Sequence, residues 1–214
     1  MIQKNMIRIW LGPKPIPKMF EDWWLDFQKI HPDFTFHTLR EESESLVPDS
    51  IRYIYDNAAS YAGRSDILRI IAVKEIGGIY IDADFKPLRH MGSLLIDPKP
   101  FCGLRSGKSF ANGLFGAPKN HPVLQETLDA LPAWYEEHND RACSVSTGPA
   151  FFSSVWFGRK DVRHLPSTAF YPYNGFGAPK REAREAMFAD KSNFPSEMYC
   201  AHFGNHKWGG KPKT

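Results

Sequence analysis

The sequence predicts a mixed or parallel β-sheet wrapped by helices, an α/β sandwich, and three observations carry that prediction. Short apolar runs with strand character alternate with stretches of helical period, in the order strand, helix, strand, helix, helix, strand over residues 7–81. One of the helical stretches is apolar on almost every side, the mark of a buried helix. The strand that follows it empties directly into Asp82-Ala83-Asp84. Two carboxylates thereby stand at the carboxyl end of a strand, where open α/β sheets bind their ligands.

Each element has its own warrant. Ile7-Arg8-Ile9-Trp10-Leu11 is short, branched and aromatic, and Gly12-Pro13 ends it, so it reads as the first strand. Pro17 suits the first turn of a helix on which Phe20, Trp23, Trp24 and Phe27 recur at spacings of three and four, until His31-Pro32 stops it. Phe34 to Leu39 alternates as a second strand, and a helix opening near Pro48-Asp49 carries Ile51, Ile54 and Tyr55. The buried helix spans Ser65 to Ile76 through Ile67, Leu68, Ile70, Ile71, Val73 and Ile76; Gly77-Gly78 closes it ahead of the strand Ile79-Tyr80-Ile81. Further on, 101–104 and 113–117 predict strands and 121–135 a helix. The region 140–179, rich in Gly, Pro, Ser and aromatics, reads as short strands, one short helix and loops, followed by a polar helix over 180–189. The tail 201–210 is too rich in His and Gly to predict a regular element, and 209–214 reads as a frayed end.

Composition bounds the functional class. With 214 residues, 42% hydrophobic and 24% charged, the chain predicts one folded domain over 1–214 rather than disorder or a fibrous repeat. The 14% aromatic content is rich enough that some rings are expected to face a ligand. No window approaches the roughly 18–20 uncharged apolar residues of a membrane span, and the opening apolar run is too short for a signal peptide. Cys102, Cys143 and Cys200 are odd in number, widely spaced and without a CxxC, which suits free thiols in a reducing compartment. These features predict a cytoplasmic protein, at most peripheral to a membrane. The net charge of +3 helps to hold a phosphorylated ligand but is too small to argue nucleic-acid binding.

Asp82 and Asp84 can converge at the strand end. Two carboxylates about 4 Å apart repel by about 4 kcal/mol at an effective dielectric near 20. A shared proton, a basic side chain or a divalent cation offsets that, and oxygen ligands so spaced suit Mg²⁺ or Mn²⁺. The plainer alternative is two solvated turn aspartates beside Lys86 and Arg89. Asp66 and Arg69, three apart, share one face of the otherwise apolar helix. They are either a buried structural ion pair or the grip for a polyhydroxylated ligand through charge-assisted hydrogen bonds. Trp10, beside Gly12, stacks on a nucleobase, worth about 1–3 kcal/mol, or belongs to the core. His202, His206 and Trp208 cluster near the end, where either His is a metal or phosphate ligand or a hydrogen-bonded structural residue.

Together these pieces carry a resemblance. Ser65-Asp66-Ile67-Leu68-Arg69, seven residues, then Gly77-Gly78-Ile79-Tyr80-Ile81-Asp82-Ala83-Asp84 resembles the S-D-x-L-R … G-G-x-Y-x-D-x-D signature of the DXD-motif glycosyltransferases. These are GT-A enzymes that include yeast-type α-mannosyltransferases, bacterial capsular-sugar transferases and the glucosylating domain of large clostridial toxins. Ile9-Trp10-Leu11-Gly12 with Pro15 and Pro17, Asn112 in A-N-G-L-F-G-A, Lys119 to Pro122, Thr147-Gly148-Pro149 and the tail ending in Trp208 extend the likeness over residues 7–208.

The resemblance implies a single GT-A domain with a Rossmann-like mixed sheet flanked by helices. It implies transfer of a sugar from a UDP-sugar, or a GDP-sugar, to a glycan, protein or other hydroxyl acceptor, with Mn²⁺ or Mg²⁺ and with retention; polysaccharide biosynthesis is among the roles of such enzymes. Trp10 would stack on the base, and Ser65 and Tyr80 would line the nucleotide pocket. Asp66 and Arg69 would hold sugar hydroxyls, with Asn112 near metal and sugar. Asp82 would bridge ribose or sugar and metal-bound water, Asp84 would bind the metal directly, and His202 would be a further ligand. His206 and Trp208 would lie against the diphosphate. The H-F-G-N-H-K-W tail departs from the commoner H-x-x-x-x-S-W form. Two other classes are weighed beside this one. A haloacid-dehalogenase-type phosphohydrolase wants Thr or Val where Lys86 stands and its motif near the N-terminus, and a silent sugar-nucleotide or glycan-binding module would lack turnover.

Overall fold

The computed structural model describes residues 1–106, 109–173 and 180–204. In chain order the principal elements are β1 (Asn5–Ile9), α1 (Lys18–Ile30), β2 (Thr35–Leu39), α2 (Asp49–Asp56), α3 (Tyr61–Ile76), β3 (Gly78–Ile81) and β4 (Phe85–Pro87). They continue with β5 (Phe101–Ser106), β6 (Ser109–Ala117), α4 (Pro122–His138), α5 (Cys143–Ser146), α6 (Pro149–Trp156), β7 (Arg163–Leu165), α7 (Arg181–Ala189) and β8 (Cys200–His202). The main sheet runs β2-β1-β3-β6-β5-β7 and is mixed: β1 is parallel to β2 and β3, β6 is antiparallel to both its neighbours, and β7 is parallel to β5. The expected mixed α/β architecture is thus present, with a two-stranded antiparallel ribbon of β4 and β8 beside it.

Helices cover both faces of the sheet, which is why its central strands are apolar without alternation. Ile7, Ile9, Tyr80 and Phe115 join α3, Leu124 and Leu128 of α4 and Trp156 of α6 in one core cluster; Met6, Ile79, Ile81 and Leu114 face a second cluster with Trp24 and Phe27 of α1. α3 is the buried helix of the sequence reading, but it starts four residues earlier. Ser60 caps it, its hydroxyl accepting from the Gly63 N–H, and no large aliphatic residue marks that first turn. The helix stops at Gly77 and Gly78, both at positive φ, and a Cβ on Gly78 would lie 2.5 Å from the Asn5 carbonyl oxygen. Glycine there lets β3 run directly against β1.

Four expectations need correction. The first strand pairs over 5–9 rather than 7–11, because its register begins at Asn5 opposite Thr35; Trp10 lies just beyond it. Residues 140–173 hold two short helices, α5 and α6, where one is expected. β5 and β6 are longer than the predicted strands and form a hairpin reaching past the end of β3, whose last pair is Ile81 with Leu114. The tail is also not wholly irregular: Cys200–His202 is a strand, in register with Phe85–Pro87. That pairing is tertiary, so a segment of only three residues gives no local signal of it. Residues 209–214, expected to fray, lie outside the described residues. All three cysteines are free thiols, Cys102 and Cys200 buried. Among the described residues no helix is long and apolar enough to cross a membrane.

Candidate active site

The carboxyl ends of β1 and β3 open into a cavity of about 410 Å³. Trp10, Ser65, Asp66, Arg69, Tyr80, Asp82, Asp84, Asn112 and His202 all line it, so nine of the expected site residues converge. α3 presents Ser65, Asp66 and Arg69 on successive turns of one face, β3 ends in Tyr80 and the acidic turn, β6 supplies Asn112, and the β4–β8 ribbon delivers His202. His206 and Trp208, expected against a diphosphate, lie outside the described residues.

A dense network ties α3, β3 and β6 together. The Arg69 guanidinium lies 3.1 Å from Asp66 and 3.3 Å from Asp82, donates to the Asn112 carbonyl at 2.8 Å, and sits 4.7 Å above the Tyr80 ring centroid. The Asn112 amide donates to Asp66 Oδ1 at 2.7 Å, and the Thr147 hydroxyl donates to Asp66 Oδ2 at 3.4 Å. The Tyr80 hydroxyl donates to Asp82 Oδ1 at 2.7 Å. Burial pushes the Asp66 carboxyl up to about 6 in spite of the attraction of Arg69. Burial also raises Asp82, with Arg69 pulling the other way and the neighbouring Asp84 charge adding to the rise. Burial alone would lower the Arg69 guanidinium, but the Asp82 and Asp66 carboxylates more than offset it and hold it charged. The pair is a buried ion pair, and both its residues also line the cavity.

Asp82, Asp84 and His202 each offer one ligand atom, and these atoms all lie within 4.8 Å of one another. Asp84 is only 4% exposed. His202 Nε2 stands 3.3 Å from Asp84 Oδ1, while its ring stacks on Phe85 at 4.6 Å. Burial would lower the imidazole, but Asp84 and Asp82 carry it above the ordinary histidine value. Two carboxylates and one imidazole make a donor set that fits Mn²⁺, which accepts both ligand types, and tolerates Mg²⁺. The room for Asp82 depends on Gly113: a Cβ there would lie 2.6 Å from Asp82 Oδ2.

Trp10 is 6% exposed and packs with Ile16, Phe20 and Trp23, so the core alternative also applies to it, although part of it lines the cavity. Its indole N–H donates to the Lys14 carbonyl at 2.7 Å, which fixes the ring. Sequence reasoning assigned no role to Thr147, to Tyr61 or to Arg105, the latter two also lining the cavity. Thr147 stood in a string quoted for the family likeness, whereas nothing in the sequence around Arg105 singles it out.

Comparison with known proteins agrees with this geometry. Residues 18–100 match the family described as the glycosyltransferase sugar-binding region containing DXD motif. Inositol phosphoceramide mannosyltransferase 3 of Schizosaccharomyces pombe is 29% identical over 143 residues, which is 62% of this chain and 40% of the relative, so the chain spans well under half of that protein. The solved PaToxG glycosyltransferase superposes with a TM-score of 0.58 at 24% identity, over 72% of this chain and 67% of the other. The UDP-bound glycosyltransferase domain of the YGT toxin gives 0.51 at 11% identity over 72% and 76%. At such identities the two structures speak to the fold alone. Residues 18–100 thus carry the DXD-motif glycosyltransferase sugar-binding region, set in a mixed sheet of the glycosyltransferase fold with the acidic pair at its mouth.

Proposed function

We propose that the protein is a metal-dependent glycosyltransferase that moves a sugar from a nucleoside-diphosphate sugar, a UDP-sugar in preference to a GDP-sugar, to a hydroxyl acceptor with retention. The observation that carries the reading is the juxtaposition, in one cavity, of the Asp82–Asp84–His202 cluster with the Asp66–Arg69–Asn112 network. Either alone has a structural explanation. Side by side they supply what an activated sugar needs, a site for a phosphate-bound cation and a rigid set of charged hydrogen-bonding groups for hydroxyls.

Asp84, with His202 and Asp82, would hold Mn²⁺ or Mg²⁺, and the ion supplies Lewis-acid stabilisation of the charge that develops on the departing diphosphate. Asp66, fixed by Asn112 and Arg69, accepts from sugar hydroxyls, and the guanidinium of Arg69 is pre-organised to donate, so little reorganisation is needed on binding. Trp10, held by its bond to Lys14, offers a stacking surface for the base, with Ser65 and Tyr80 beside it. The family resemblance assigns His206 and Trp208 to the diphosphate. In the transfer the bond from the anomeric carbon to the β-phosphate oxygen breaks and its electron pair stays with the phosphate. The acceptor oxygen bonds to that carbon on the face the phosphate leaves. The acceptor proton passes to the departing phosphate, which suits a cavity in which the carboxylates are committed to Arg69, Tyr80 and the cation.

The test is nucleotide release from a panel of UDP- and GDP-sugars with and without Mn²⁺. The native protein is expected to release nucleotide slowly and only with metal. Asp84→Asn should lower that rate at least about a hundredfold while leaving the circular dichroism spectrum intact. Tight donor binding without release would instead indicate a binding module, and unchanged release in Asp84→Asn would remove the metal assignment.

A further inference from the structure

Among the described residues, one arginine of the cavity makes no ion pair. Arg105 lines the cavity with Asp82, Asp84 and His202 and is half-buried. Among the described residues no carboxylate lies within ion-pair distance of its guanidinium and no hydrogen-bond acceptor meets it, and the remaining stretches of the chain contain no Asp or Glu. Arg69, the other arginine of the cavity, is neutralised twice over by Asp66 and Asp82. The charge of Arg105 is felt at His202 and at the buried Tyr171 hydroxyl. A guanidinium facing a cavity without a direct ion pair keeps its donors available, and an anionic ligand is the partner that suits them.

Its place on the sheet says which ligand. β5 shifts register against β6 between Leu104 and Ser106, so Arg105 sits in a bulge, a device that re-aims a side chain. Leu104 packs on the core cluster while Arg105 turns to the cavity. Across the order β1-β3-β6-β5 stand, in turn, Trp10, the acidic pair, Asn112 and Arg105. At about 4.8 Å per strand, Arg105 is displaced about 10 Å from the line of β3, on the side away from Trp10. With the base at Trp10, the diphosphate at Asp84 and the sugar at Asp66 and Asn112, the next group along that row is whatever receives the sugar.

We propose that Arg105 forms an anion-binding subsite for the acceptor, so that the sugar passes to a hydroxyl of a compound that also carries a phosphate or carboxylate group. The proposal rests on the reading under Proposed function. The anion itself is unchanged; the bonds broken and formed are those of the transfer, and the guanidinium only orients the acceptor hydroxyl.

The test compares acceptors in matched sets. With Mn²⁺ and whichever of UDP-glucose, UDP-galactose, UDP-N-acetylglucosamine and GDP-mannose is turned over fastest, transfer is measured to glucose, glucose 6-phosphate and glucuronate. The native protein is expected to favour at least one charged acceptor over glucose by about tenfold or more in kcat/KM. Arg105→Gln should bring that ratio close to one, and Arg105→Lys should keep part of it, with the phosphate and carboxylate arms showing which anion is read. A ratio near one in the native protein overturns the proposal, as does a ratio that survives in Arg105→Gln. A variant whose only change is a raised donor KM assigns Arg105 to the donor diphosphate and equally overturns it. If no donor is turned over with any acceptor, the glycosyltransferase reading itself falls, a different outcome from an active enzyme indifferent to acceptor charge.

Discussion

Asp66, Arg69, Tyr80 and Asp82 come from one helix–turn–strand passage and bond to one another, whereas His202 reaches the same cavity on a three-residue strand whose partner, β4, begins at Phe85. The first half of the site is buried and cross-linked by charge. The second is held by a ribbon of three residue pairs, by the Phe203 N–H donating to the Asp84 carbonyl at 2.9 Å, and by Arg184 of α7 donating to the carbonyls of Phe203 and Gly204. A site with one rigid wall and one attached wall can keep the Asp66–Arg69 network fixed while the Asp84–His202 side is tuned separately. The two walls should then fail in different ways: damage to the first unfolds the protein, and damage to the second loosens the ion.

Arg69→Met should show the largest effect. It strips the counter-charge from two buried carboxylates, and breaking a buried pair from one side costs about 3–5 kcal/mol. The cost should depend on pH. Asp66 already titrates near 6, above the ordinary carboxylate range, so the folded state binds more protons than the unfolded one between about pH 4 and 6 and stability falls as pH rises through that window. Without Arg69, Asp66 and Asp82 move further up and the window widens. Urea unfolding of Arg69→Met should therefore show a small deficit near pH 4 that grows towards neutrality. A deficit that is flat with pH would mean that packing, not charge, holds this wall.

The unequal legibility of the two walls in the sequence has the same origin. Asp66 and Arg69 could be paired from their spacing on a helix, and the acidic pair could be placed at a strand end from Gly77-Gly78 and the apolar run alone, because those relations are local. Asn112 was legible only through family likeness. Thr147 belonged to the family likeness but without a role, and Arg105 was not legible at all, since its place in the cavity follows from a β-bulge. The strand at His202 was missed for a related reason: Cys200-Ala201-His202 pairs because tertiary packing buries it, and its own composition argues for no regular structure. Trp10, just beyond β1, belongs to a buried cluster and also lines the cavity.

A smaller effect is expected at the second wall. His202→Gln removes one of three candidate ligand atoms and the stack on Phe85, and leaves Arg69 and its carboxylates untouched. The Mn²⁺ concentration for half-maximal nucleotide release should rise about tenfold, a change of about 1.4 kcal/mol, while the urea midpoint moves much less than in Arg69→Met. The reverse pattern, a large loss of stability with metal affinity unchanged, would make His202 a structural residue and erase the contrast between the walls.

The smallest effect sharpens the comparison from outside the site. His31 is fully buried beneath the connection that follows β4: its Nε2 accepts from the Met91 N–H at 2.9 Å, its Nδ1 lies 2.9 Å from the Phe27 carbonyl, and its ring stacks on His90 at 4.7 Å. Accepting at Nε2 fixes the neutral tautomer, and burial holds the imidazole below the ordinary histidine range. The unfolded chain then binds more protons than the folded one below about pH 6.5. The stability contributed by neutral His31 is fully present above that pH and is lost as pH falls through the lowered value. This slope is opposite in sign to the one from Asp66. Unfolding measured from pH 7.5 down to 5.5 should lose a term in the native protein that His31→Gln no longer shows, since glutamine does not titrate. Because His31 touches neither wall, the half-maximal Mn²⁺ concentration should stay the same in that variant. A shift in it would mean that the packing around β4 is transmitted to Asp84 and that the two walls are not independent.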